Sequence, residues 1–148
     1  MNTRPIGRIV AGLLAMLFGL ATVVEGGHVL FGGPDARAAA GDVVPFVLIF
    51  NFSAGFAYLA AGAAALLGRP WTLPLARALA LATLAVFVAL GVHVVTGGAF
   101  ERRTVAAMTL RSVFWVAQAL LLPRFFRSAM ASAPAPSRAD SVTLRPGP

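Results

Sequence analysis

Hydrophobic and polar positions along this chain fall into long blocks rather than alternating residue by residue. Four blocks are almost wholly apolar: roughly Ile6–Leu30, Val43–Leu67, Leu73–Val95 and Val105–Leu122, the last preceded by a polar start at Arg102. Each is near the ~20 residues that cross ~30 Å of hydrocarbon as a helix. A membrane strand needs only ~10 residues in strict alternation, which these blocks lack. The pattern therefore predicts transmembrane helices over about 6–30, 43–67, 73–95 and 102–122. The separators "GGPDARAAAGD", "GRPW" and "TGGAFERR" carry turn-forming Gly, Pro and Asp. Short turns favour antiparallel neighbours. The expected fold is all-α: a four-helix transmembrane bundle over 1–127, running up-down-up-down. The Pro-, Ala- and Ser-rich stretch over 128–148 has no apolar periodicity and reads as a disordered cytoplasmic tail.

Composition supports the same class. Apolar residues make up 59% of the chain and charged residues 11%, against about 25% charged in a soluble domain. Cysteine is absent, which excludes disulfides, thiolate metal sites and cysteine nucleophiles. The net charge of +7 raises nucleic acid as a partner. The arginines, however, sit at the ends of apolar blocks, where membrane orientation explains them. The partner is the lipid bilayer, with a membrane protein or a second copy of the chain as further partners, and not nucleic acid. The first block is longer than the 7–15 residue core of a secretory signal, so it is expected to stay as a helix.

Arginine placement sets the expected orientation. Arg4, Arg8, Arg69, Arg77, Arg124 and Arg127 share one side, against Arg37, Arg102 and Arg103 on the other. The richer side is expected to be cytoplasmic, with both termini inside a bacterial-type cytoplasmic membrane.

The remaining polar residues gather in the outer half. "VVEGGHVLFGG" carries Glu25 and His28 near the exit of the first helix; Asn51, His93 and Glu101 lie at matching depth on the others. On the fourth helix Glu101, Thr104, Met108, Arg111, Trp115 and Gln118 step by three or four residues and form one stripe. Arg111 lies ~18 Å along the axis from Pro123, and an arginine at such depth belongs in the bundle interior. Glu25 and Arg111 lean toward each other, because side chains tilt toward their own helix N-terminus and these two helices run oppositely. A Glu25–Arg111 contact, direct or through one water, is expected. On the second helix Asn51, Gly55, Tyr58 and Gly62 form a stripe whose small residues admit a close neighbour.

Several chemistries fit these residue types. Glu25, His28, His93 and Glu101 offer four N/O ligands for a divalent metal, although an E-x-x-H pair is common by chance and Arg111 opposes a cation. His28 and His93 as haem ligands are a weaker fit, since no histidine remains to choose between. Glu25, Asn51, Tyr58, His93 and Arg111 would line a cavity for an anionic or quinone-like head group. A structural ion pair without any ligand is the plain alternative. No nucleophile elbow, P-loop or dinucleotide fingerprint occurs, so whether the chain is an enzyme is left open.

"RIVAGLLAMLFGLATVV", then "AGFAYLAAGAAALLGRPW" leading into "LARALALATLAVF", resembles the DoxX-like small four-helix membrane proteins. The likeness covers about residues 8–95. It rests on an R-x-x-x-G helix opening, a Gly-rich second helix and a Gly-Arg turn into the third. "EGGH" and "ERRTVAAMTLR" depart from it. The resemblance implies an accessory role in a quinone-linked membrane redox system, and it carries no catalytic residue across. The alternatives are a metal-handling membrane protein and a purely structural interaction protein.

Overall fold

In an apolar surrounding every backbone N–H and C=O must be paired internally, and a helix does this within one segment. The apolar blocks fold accordingly. The computed structural model describes residues 3–130, with side chains from 6 to 126. It contains α1 (Thr3–Phe31), α2 (Gly33–Ala40), α3 (Pro45–Leu66), α4 (Thr72–Val95) and α5 (Arg102–Met130). No strand occurs among the described residues. Four helices are long and apolar enough to cross a membrane: Ile6–Phe31, Pro45–Leu66, Thr72–Val95 and Arg102–Phe126, of 26, 22, 24 and 25 residues.

Two elements differ from the sequence expectation. The first separator contains a helix, α2, rather than only a turn. Pro34 sits in its first turn, where a missing N–H costs no helical hydrogen bond. Asp35 in the first turn and Arg37 in the last both complement the helix dipole. The last helix also continues through Pro123 to Met130 rather than ending at Leu122. Proline is tolerated inside membrane helices where neighbours re-satisfy the freed carbonyl. The expected disordered tail, 128–148, lies mostly outside the described residues.

Packing closes the long helices into a ring. α1 contacts α3 and α5, and α4 contacts the same two. The α1–α3 seam is built on glycine. A Cβ added at Gly12 would lie 2.9 Å from the Gly62 carbonyl oxygen, and one at Gly19 would lie 2.9 Å from that of Gly55. Further along, Gly26 faces Phe52. Residue numbers fall on α3 as they rise on α1, so the two are antiparallel, and their backbones approach as only small residues allow.

The stripe on α5 faces inward. Met108 and Trp115 are fully buried, and Arg111, Ser112 and Gln118 are buried beside them. Gln118 Nε2 donates to the Ala11 carbonyl at 2.9 Å, tying α5 to α1. Tyr58 packs on Trp115 with ring centroids 4.7 Å apart. The outer surface is the opposite of a soluble protein's: Leu17, Leu81, Val88 and Val95 are among many large apolar side chains left exposed.

Candidate functional site

A cavity of about 430 Å³ opens at the end of the bundle where α2 lies. α1 supplies Thr22, Glu25, Gly26, His28 and Val29; α3 supplies Val47, Leu48 and Asn51; α5 supplies Arg103, Thr104, Ala107 and Arg111. Ala36, Ala39 and Ala40 of α2, with Val43 and Val44, close one side. The walls mix aliphatic side chains with seven polar or charged ones, three of them charged side chains on α1 and α5: Glu25, Arg103 and Arg111.

Arg111 forms the deep polar part. It is only 6% exposed. Its Nη2 donates to Thr22 Oγ1 at a long 3.4 Å, and its guanidinium carbon sits 5.7 Å from the Phe18 ring centroid, within cation–π range. Its Nε is buried without a partner. On α3, Asn51 Oδ1 is likewise buried without a partner. Two cavity-lining residues thus each carry a polar atom, one donor and one acceptor, buried without a partner, and each costs free energy while unpaired.

The expected Glu25–Arg111 contact is not formed. Glu25 lines the same cavity but is exposed, and Arg111 donates to Thr22 instead. Helix register explains this. Gly7 faces Phe125 and Ala11 faces Gln118 across the α1–α5 seam, which places Arg111 beside the Thr22 turn. Glu25 is one turn further, about 4.5 Å along the axis.

Two other expected cavity residues are elsewhere. Tyr58 is fully buried in the core, its hydroxyl 3.5 Å from Thr83 Oγ1, and does not line the cavity. His93 turns onto its own helix end. Its Nε2 is 3.0 Å from the Ala99 carbonyl, so that nitrogen carries the proton, and its ring meets Phe46 edge-on at 6.1 Å. The Gly98 backbone lies directly against it.

The proposed metal ligands do not assemble. Glu25 and His28 share the cavity, but His93 does not join them. Glu101 instead accepts from the Asp42 backbone N–H at 3.2 Å. Among the described residues no group of three or more His, Cys, Asp or Glu side chains is placed to hold a metal ion. A haem bridging His28 and His93 meets the same obstacle.

Arg103, which the sequence pattern did not single out as a site residue, and Glu101, expected there as a metal ligand, complete the site. Arg103 Nη2 donates to the Ala39 carbonyl at 2.7 Å, at the C-terminal end of α2, where a cation is favoured. Glu101 approaches the chain at Gly41, whose φ is +70° and whose missing Cβ leaves room for the carboxylate. Together these contacts clip α2 to the start of α5 beside the cavity mouth. The signal was the adjacent "ERR", which alone reads as a solvated helix start.

The fold and site define an all-α chain with four candidate membrane spans and a partly polar cavity at one end. Compared with protein-family models, characterised proteins and solved structures, the chain finds no match in any of the three.

Proposed function

We propose that this chain is a four-helix, multi-pass protein of a bacterial-type cytoplasmic membrane that binds a small amphiphilic ligand. Its spans run up-down-up-down, with both termini cytoplasmic and the cavity near the outer face. One observation carries the reading: Arg111 is buried in an apolar bundle at the inner part of a cavity, with Nε unpartnered. A buried cation held by one long hydrogen bond is costly. A site that receives a ligand accounts for it better than a site that only packs.

The resemblance to DoxX-like proteins extends this reading to an accessory role in a quinone-linked redox system. A metal-handling role is disfavoured by the separation of His93 and Glu101 from Glu25 and His28.

The test is direct. The protein is purified in mild detergent, and small molecules extracted from it are identified by mass spectrometry. A stoichiometric amphiphile retained by the wild type and lost from Arg111→Gln is the expected result. The same trace compounds in both preparations would leave a structural membrane protein as the better reading.

A further inference from the structure

We propose that the cavity selects an anionic head group: a carboxylate, or a phosphate monoester, on a short apolar body. This rests on the ligand-binding reading above and names the class of ligand.

The reasoning is charge compensation. Arg111 is nine-tenths buried, and it makes no ion pair among the described residues. Its partners are a neutral hydroxyl at 3.4 Å and an aromatic face. Neither neutralises a guanidinium, and a buried charge without a counter-charge is destabilising. Glu25, the nearest acid in the cavity, is exposed and one turn away, so water screens it. An oxyanion in the cavity would supply the missing counter-charge and accept from the Arg111 guanidinium, whose fork of N–H groups suits carboxylate and phosphate.

The surroundings agree. Arg103 stands at the mouth and adds a second positive charge on the way in. Asn51 also lines the cavity, and its side-chain amide N–H groups would donate to the same oxyanion. Val43, Val44, Val47 and Leu48 form an apolar wall for the body of the ligand. A cation is disfavoured by Arg111 itself.

Binding of four probes with the same eight-carbon tail separates the outcomes: octanoate, octyl phosphate, octanol and octylammonium. Each is titrated into wild-type protein in nanodiscs of uncharged lipid, followed by calorimetry or thermal shift. At least one of the two anions is expected to bind about ten- to a hundredfold more tightly than octanol, the range of a hydrogen bond to a charged group. Which anion leads distinguishes carboxylate from phosphate. Arg111→Gln is expected to abolish the preference while octanol still binds. Asn51→Asp, which places a negative charge in the cavity, is expected to weaken the anions and not octanol, and it keeps the test alive if Arg111→Gln fails to fold. Glu25→Gln is expected to tighten anion binding by removing a repulsive charge. Octanol or octylammonium binding as tightly as both anions overturns this inference and leaves the ligand-binding reading standing. No binding by any probe counts against both.

Discussion

Arg111 and Thr22 face each other across the α1–α5 seam, joined from Nη2 to Oγ1 at 3.4 Å. Thr22 is 2% exposed and Arg111 6%, so the pair lies inside the bundle while Glu25 remains at the cavity mouth. This relationship decides which side chain on α1 stabilises the guanidinium.

Thr22→Val is therefore expected to destabilise the protein more than Glu25→Gln does. A hydrogen bond to a charged group contributes about 1.5–3 kcal/mol at good geometry; the long 3.4 Å contact places Thr22→Val at about 1 kcal/mol. Glu25→Gln, at an exposed position, should stay within about 0.5 kcal/mol. Unfolding in detergent with added denaturing surfactant ranks the two variants. The reverse order would mean that Glu25 is the true counter-ion.

The glycine seam between α1 and α3 makes a second stability prediction. At Gly19 a Cβ would press on the Gly55 carbonyl at 2.9 Å and on Leu59 N at the same distance. Both are backbone atoms and cannot rotate away. Gly19→Ala is expected to cost about 1–3 kcal/mol as overpacking. Gly91→Ala, where nothing lies within 4 Å, is expected to be neutral or to stabilise α4 by up to about 1 kcal/mol through helix propensity. The same unfolding assay compares them, and equal effects would show that the seam is not closely packed.

The four long helices were legible because apolar blocks of membrane-spanning length have few alternative structures. The inward stripe on α5 was legible for a related reason: a buried face repeats every three or four residues, and Met108, Arg111, Trp115 and Gln118 obey that period. α2 was missed because Gly, Pro and Asp signal a turn and also a helix start, and "DARAAA" decides between them only weakly. Periodicity gives the face of a residue and not its axial offset from a residue on another helix. That is why Glu25 and Arg111 line one cavity while the expected contact between them is missed by one turn. His93 was misplaced for a local reason: the carbonyl of Ala99 in the following turn offers its ring a nearer partner than the cavity does.

Tyr58 separates core from cavity. Its hydroxyl bonds only weakly with Thr83, at 3.5 Å, in a fully buried setting. Tyr58→Phe is expected to lower stability by about 1 kcal/mol or less and to leave ligand affinity unchanged. A loss of binding with unchanged stability would return Tyr58 to the site.

The clip on α2 should be measurable as local opening. Arg103→Gln removes the bond to the Ala39 carbonyl, an exposed contact near the lower end of the ~0.5–1.5 kcal/mol typical of hydrogen bonds. Amide exchange of α2 is expected to quicken about two- to fivefold, with α1 unchanged. Uniform acceleration of both helices would show that Arg103 supports the whole bundle and not the mouth alone.

The orientation that places the cavity outside is open to a clean test, because the chain has no cysteine and any introduced thiol reports alone. Ala38 on α2 and Leu67 at the opposite end of the bundle are both exposed. Six arginines near the Leu67 end outweigh three near the Ala38 end within the first 127 residues, and the proposed orientation puts the richer end on the cytoplasmic side. Ala38→Cys is expected to react with a membrane-impermeant maleimide in intact cells. Leu67→Cys is expected to react only after permeabilisation. The opposite labelling would turn the bundle over: Arg103 and the mouth would then face the cytoplasm, and an anionic ligand would have to reach Arg111 from inside the cell.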